Sequence, residues 1–292
     1  MRGLRGARPL PCYVQALPRR AVSRLLGHLG RLRLPPVLLG PLLGLYAHGF
    51  GVELQEMERP LRSYASFLDF FTRRLRPDLR PQPEDPAAVT APADGRVHSG
   101  GRVARGTILQ TKGVPYGVGD LLGGDDDFEG GTWLTTYLAP GDYHRFHWPF
   151  DAHVAEVRHL PGDLWPVHPG AVAWVPRLFA TNERIVLRGE VAGGGAFAVA
   201  AVGALNVGSI RIDLAPRLRT NRGGGARRTW AIEAPIPVRR GEPMGHFEFG
   251  SALVLLLSAT AGVLEAREPG TRLRVGEVVG RLTPTPVRPP AG

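Results

Sequence analysis

The chain has 292 residues, 36 of them Lys or Arg and 26 Asp or Glu, for a formal charge of +10. Residues 1–50 hold eight Arg and no acidic residue, so the remainder is nearly neutral; a basic face with interleaved aromatics is missing, and no nucleic-acid partner is expected. One cysteine, Cys12, excludes an intrachain disulfide and fits a reducing compartment, and the leader lacks the compact apolar core and small-residue cleavage site of a secretion signal.

Residues 17–47 hold two Leu-rich stretches. Leu25, Leu26, Leu29 and Leu32 share one helical face, with Arg20, Arg24 and Arg31 among them. Residues 34–52 are uncharged for 19 positions, close to the length of a membrane span. Pro35, Pro36, Pro41 and four Gly interrupt that run. Helices lying on or dipping into an anionic membrane suit it better than a span, with helices capping a core as the alternative. Residues 1–62 are thus read as a basic, membrane-associating helical leader. A helix capped by Ser63 and running to Leu75 follows, ended by Arg76-Pro77. Residues 77–88 contain four Pro and read as a linker, so 63–88 is helix plus linker.

From residue 89 to 292 short apolar runs alternate with Gly and Pro. The runs 107–110, 133–138, 153–159, 184–187, 196–202, 209–214 and 252–257 predict strands. The last, Ala252–Leu257, is apolar throughout and predicts a central strand. The fold class is α+β: a β-rich core of antiparallel sheets with N-terminal amphipathic helices.

Four motifs could carry chemistry. Asp94-Gly95 alone reads first as a hairpin turn, with a catalytic aspartate as the lesser alternative. His144 and His147 stand three apart among aromatics, in Asp142-Tyr143-His144-Arg145-Phe146-His147. On this stretch alone a pair of surface or core histidines is the first reading and acid–base work the alternative; a metal site would need further ligands at fitting spacing, and none is expected. Gly203–Ile210 includes a Gly208-Ser209 pair, but nothing marks Ser209 as a nucleophile. Gly250-Ser251 opens the 252–257 run without the Gly-x-Ser-x-Gly elbow of an α/β hydrolase. Gly250 lacks a Cβ, so the neighbouring hydroxyl can reach its carbonyl.

Together these patterns resemble the phosphatidylserine decarboxylase proenzymes, the pyruvoyl-dependent, prokaryotic type I-like family. The resemblance runs from the leader to about residue 260. Its motifs, in the family's order, are Ala93-Asp94-Gly95, Lys112-Gly113 with Leu121-Leu122-Gly123, Tyr137–Pro140 leading into Asp142–His147, and Pro161–Leu164. Leu178-Phe179 before Asn182-Glu183-Arg184, Val202–Ala204 before Val207–Ile210, Gly241-Glu242 before Met244-Gly245, and Phe249-Gly250-Ser251 complete them. Many bacterial members read Leu-Gly-Ser-Thr at the last site, where this chain has Phe249-Gly250-Ser251-Ala252. A hydroxyl after the serine is therefore missing, which bears on processing speed.

The resemblance implies self-cleavage between Gly250 and Ser251, giving a long chain 1–250 and a short chain 251–292 that begins with a pyruvoyl group derived from Ser251. It implies His147 as base, oriented by Asp94, and His144 as donor of a proton to the substrate α-carbon. The pyruvoyl group would take phosphatidylserine as a Schiff base and release carbon dioxide and phosphatidylethanolamine. The expected setting is peripheral, on the cytoplasmic side of the cell membrane, with an anionic phospholipid bilayer and the two product chains as partners. Oligomeric state stays open, a homodimer included. A decarboxylase of a related serine phospholipid and a non-catalytic basic lipid-binding protein are the alternatives. Asn182, Glu183 and Arg184 suit a buried polar network as well as substrate contact, and His246 suits a structural role. Deleting residues 1–50 is expected to weaken membrane recovery more than self-cleavage.

Overall fold

The computed structural model describes residues 17–110, 113–124, 128–205, 209–221 and 225–284. Cys12, Lys112, the Asp125–Asp127 run and Asn206–Gly208 lie outside the described residues. Within them six α-helices and sixteen strands are found, all the strand ladders antiparallel. The α+β class with a β-rich core is what the chain adopts.

Two helices open the described chain: α1 (Arg19–Gly30) and α2 (Pro36–Phe50). Pro36 stands at the start of α2, where a missing N–H costs nothing, and Gly51 ends it at φ +67°. Leu39, Leu43 and Ala47 of α2 pack with Val52, Met57, Tyr64 and Phe70 in a small core of their own. The next helix, α3, covers only Phe67–Phe71, shorter than the stretch from Ser63 to Leu75 that the sequence suggests. Its cap is Ser66, whose Oγ accepts from Asp69 N at 3.1 Å. Ser63 instead ends a single 3₁₀ turn.

The strands are β1 (Ala88–Thr90), β2 (Gly95–Arg102), β3 (Thr107–Gln110), β4 (Val114–Gly117), β5 (Thr132–Leu138), β6 (Arg145–His147), β7 (Ala152–Leu160) and β8 (Arg184–Val191). There follow β9 (Ala196–Val202), β10 (Ile210–Ile212), β11 (Arg228–Val238), β12 (Pro243–Phe247), β13 (Ser251–Leu257), β14 (Gly262–Leu264), β15 (Arg272–Leu273) and β16 (Val278–Leu282). Three one-turn helices, α4 (Val118–Leu122), α5 (Pro169–Val172) and α6 (Leu178–Thr181), lie between them.

The main sheet has eight strands in the order β11-β7-β8-β9-β13-β5-β2-β15. β13 lies between β9 and β5, and all seven of its residues are buried. That explains an apolar run with no alternation: a strand covered on both faces gains from apolar side chains at every position. A second sheet, β10-β12-β6, carries the histidine motif, and a third is β1-β16-β14. β1 pairs with β16, while β2 joins the main sheet, so Asp94-Gly95 is a crossover between sheets and not a hairpin turn.

Candidate active site

The site forms where β13 begins. Ser251 is its first residue and stands opposite Leu138 of β5. It is fully buried, and its Oγ has no hydrogen-bond partner. An unsatisfied buried hydroxyl costs about 1–3 kcal/mol, so a folded chain that keeps one at this position keeps it against a gradient. A Cβ placed on Gly250 would stand 3.5 Å from the Leu138 carbonyl oxygen and 3.8 Å from His144 Nε2. There is room there, and an imidazole faces it.

His144 is fully buried too, and its Nε2 has no hydrogen-bond partner. Its Nδ1 lies 2.9 Å from the Asp142 carbonyl oxygen. A carbonyl only accepts, so Nδ1 carries the hydrogen and Nε2 presents a lone pair. Burial pushes the His144 pKa down to about 3, against a smaller upward pull from the Asp142 carbonyl. The ring is thus neutral at any physiological pH. Its orientation is fixed by the Ala139–Asp142 turn, closed by Asp142 N to the Ala139 carbonyl at 2.9 Å and by Ala139 N to Asp142 Oδ2 at 2.8 Å. Buried Arg73 donates to the Gly141 and Asp142 carbonyls at 2.9 and 3.0 Å. From α2, Tyr46 donates to the Pro140 carbonyl at 2.8 Å.

Asp94 and His147 each have other partners than the sequence suggests. The Asp94 carboxylate takes a fork from Arg80, Nε at 3.1 Å and Nη2 at 2.5 Å, and accepts from Val275 N at 2.8 Å. Arg80 also reaches Glu56 at 2.7 Å; burial works against its charge, but the two carboxylates outweigh that and raise its pKa. A two-pronged charged fork is a stronger partner for a carboxylate than a neutral imidazole, which accounts for the pairing. His147 Nδ1 donates to the Gly241 carbonyl at 2.9 Å, and its Nε2 accepts from the Tyr143 hydroxyl at 3.0 Å. Burial lowers the His147 pKa, with the Gly241 carbonyl and Asp94 opposing. Among the described residues no hydrogen bond joins Asp94 to His147, or either histidine to Ser251. The structure brings His144, Gly250 and Ser251 together and holds Asp94 and His147 in two flanking networks, joined where His147 N donates to the Pro92 carbonyl at 2.8 Å.

On the side of the Gly250–Ser251 bond away from β13 the chain is strained. Phe249 has φ +144°, a region that residues with a Cβ enter at a cost of about 1–3 kcal/mol. Its ring stacks on Phe67 at 5.8 Å and leans on Phe71 at 5.0 Å. Phe71 in turn lies 4.1 Å from the His144 ring. Glu248 is ion-paired with Arg31, just beyond α1. Helix α3 therefore covers the site. A cavity of about 450 Å³ lies on one side of it, lined among others by Arg31, Arg33, Ser66, His246 and Glu248. Another of about 290 Å³ includes Arg59, Arg73, Arg74 and Arg145 in its lining.

The other singled-out residues lie elsewhere. Asn182 spans the Trp165 backbone and the Gly203 carbonyl, Glu183 accepts from His159 at 2.8 Å, and Arg184 donates to the Asp120, Leu121 and Asn182 carbonyls. That is the buried polar network, satisfied by backbone. Ser209 is buried and donates to the Ile210 carbonyl at 3.2 Å. Sequence reasoning passed over Arg80, in a stretch read as linker, and Phe249, Phe71 and Arg73. Only Phe249 carried a signal: it replaces the usual Leu of the cleavage motif.

Comparison with known proteins shows the family. The family model described as phosphatidylserine decarboxylase matches residues 67–281. A phosphatidylserine decarboxylase proenzyme of Anaeromyxobacter sp. (strain K) is 43% identical over 273 residues, covering 91% of this chain and 96% of its own. A mitochondrial proenzyme of the same name from Rattus norvegicus is 36% identical over 300 residues, covering 92% and 73%. One from Myxococcus xanthus is 34% identical, covering 92% and 97%. The chain belongs to the phosphatidylserine decarboxylase family.

Proposed function

We propose that the chain is a proenzyme that cuts itself between Gly250 and Ser251 and then converts phosphatidylserine to phosphatidylethanolamine and carbon dioxide. The observation that carries the reading is a pair of buried, unpartnered atoms, Ser251 Oγ and His144 Nε2, at the same glycine. Nε2 takes the hydroxyl proton as Oγ adds to the Gly250 carbonyl carbon. The C–N bond then breaks, the proton passes to the Ser251 nitrogen, and an ester joins Gly250 to the Ser251 side chain. Loss of the Ser251 α-proton breaks the Cβ–O bond, and Gly250 leaves as the carboxylate that ends the long chain. The dehydroalanine at 251 tautomerises, adds water and loses ammonia, and the short chain then begins with a pyruvoyl group.

Position 251 suits that group: it is buried, fixed at the head of a central strand, and beside a neutral imidazole. The pyruvoyl group supplies an electron sink for the pair left behind when the carboxylate of the bound serine headgroup departs. His144 is placed to hold and deliver the proton that the substrate α-carbon then needs. His147 acts one step away, as a positioning residue. Its backbone and ring tie the strand after His144 to the Pro92 and Gly241 carbonyls. Asp94, through Val275 N, links the two product chains.

The substrate is a membrane lipid, and the leader suits a peripheral seat on an anionic bilayer at the cytoplasmic face of the cell membrane. No helix among the described residues is long and apolar enough to cross a membrane. Leu25, Leu29 and Leu32 of the first helical segment, and Val37, Leu38 and Leu45 of α2, are exposed, Leu45 at 72%.

Intact-mass measurement of the purified protein tests the reading. Two chains split at 250/251 are expected, the short one blocked to Edman degradation. The Ser251→Ala protein should stay whole and release no carbon dioxide from phosphatidylserine vesicles. A wild-type chain that stays whole, or a Ser251→Ala chain that decarboxylates, would overturn it.

A further inference from the structure

Phe249 is the one non-glycine residue next to the scissile bond with a positive φ, and it is held there from two sides. From α3, Phe67 and Phe71 contact its ring at 5.8 and 5.0 Å. From α1, Gly30 is so close that an added Cβ would stand 3.0 Å from Phe249 Cζ. The helix achieves this approach by turning small residues inward: Ser23, Gly27 and Gly30 are its buried positions. Just past the helix, Arg31 grips Glu248 and also donates back to the Gly27 carbonyl at 2.6 Å. The same Phe71 ring that touches Phe249 lies 4.1 Å from His144. A continuous packed path thus runs from α1 through Phe249 and Phe71 to the imidazole facing Gly250.

We propose that Phe249 is a positioning residue for self-cleavage, and that the docked α1 helix is part of the processing machinery. This rests on the reading of Gly250–Ser251 as the bond that cuts itself. Left to itself, a phenylalanine at φ +144° relaxes to an extended conformation and swings the following peptide away. The clamp prevents that. It keeps the Gly250 carbonyl carbon where Ser251 Oγ can add to it, with the proton going to His144 Nε2 and the Gly250–Ser251 C–N bond breaking. Once the bond is cut, Phe249 and Gly250 become the end of the long chain and the constraint falls away. Processing therefore depends on a helix outside the catalytic sheet, and a chain whose leader has not docked stays uncut.

The test follows full-length proenzyme made in a cell-free system, scoring precursor against short chain by gel over time. Gly30→Val pushes a side chain into the Phe249 ring and should slow splitting at least tenfold. Adding Phe249→Leu withdraws the ring from the new side chain. The double variant should then split within about threefold of Phe249→Leu alone, a rescue that a chain unable to fold cannot show. Phe249→Gly frees the backbone but loses the clamp, and should also be at least tenfold slow. Gly30→Val or Phe249→Gly splitting at the wild-type rate overturns the proposal, as does a double variant no faster than Gly30→Val. Wild-type chain that does not split at 250/251 defeats instead the reading on which the proposal rests.

Discussion

His144 and His147 are three residues apart and meet different surroundings because β6 starts between them. His147 belongs to the strand, opposite Pro243, and both its ring nitrogens are used. His144 sits in the loop before it, with one nitrogen spent on Asp142 and the other free toward Gly250. A positioned base contributes about 10²–10⁴-fold to a proton transfer. His144→Ala should therefore accumulate precursor, splitting at least about a hundredfold more slowly, while His147→Ala, which loosens the loop, should slow splitting by less. Time courses of chain splitting compare the two, and His144→Ala cutting at the wild-type rate would withdraw its role. The sequence shows the histidine pair, the Gly-Ser bond and Asp94. It does not show which histidine faces the serine, because that depends on how the turn closed by Asp142 meets the first residue of β13. Nor does it show that Arg80, from a proline-rich stretch, occupies the Asp94 carboxylate.

The helix α1 was legible as amphipathic, with a membrane-lying helix as the first reading and a core cap as the alternative. Its leucines point outward, Leu25 at 58% and Leu29 at 50% exposed, while Ser23, Gly27 and Gly30 face the protein. Periodicity shows that two faces differ and not which one is buried; the small face wins here because it alone lets the helix approach Phe249. The outward leucines are then free for a bilayer. Changing Leu25 and Leu29 together to Asp should cut co-sedimentation with anionic vesicles at least tenfold, since each leucine loses up to about 2 kcal/mol of apolar transfer. Its thermal midpoint should hold, because neither side chain supports the fold; unchanged vesicle binding would count against the role. The contacts of Gly30 with Phe249 and of Arg31 with Glu248 also revise what removal of residues 1–50 should do: self-cleavage is expected to suffer along with membrane recovery. The β strands were more legible than the helices. Runs such as 107–110 and 196–202 coincide with β3 and β9, because alternation and β-branched content act locally, whereas the end of α3 depends on tertiary contacts.

Across the whole molecule the eight-stranded sheet makes cleavage compatible with one continuing fold. All seven residues of β13 are buried between two neighbours, so the short chain leaves only by exposing Leu253 to Leu257, at about 2 kcal/mol for each large side chain. The same dense interior makes the protein sensitive to acid. Burial holds His98 and His246 down to about 4 and His144 to about 3, and lowers His147 and His168 as well. In the unfolded chain these groups titrate near pH 6.5. Between that pH and their folded values the unfolded chain binds protons that the folded chain refuses, so stability is full above about pH 6.5 and falls as the pH drops. Asp142, raised by burial, works the other way, but it is one group against five. The carboxylates with lowered values, Glu53, Glu156 and Asp163, add to the loss chiefly at the acid end and below it, so the histidines outweigh the other groups over most of pH 4.5–6.5. His98 packs edge-on against Phe179 at 5.3 Å and lies outside the site, so His98→Phe retains a ring there. At pH 4.5 it should recover about 2 kcal/mol of the stability lost from pH 7. Thermal melts of the uncut Ser251→Ala chain, with and without His98→Phe, measure this: the midpoint should fall less in the double variant, and an equal fall in both would remove His98 from the account.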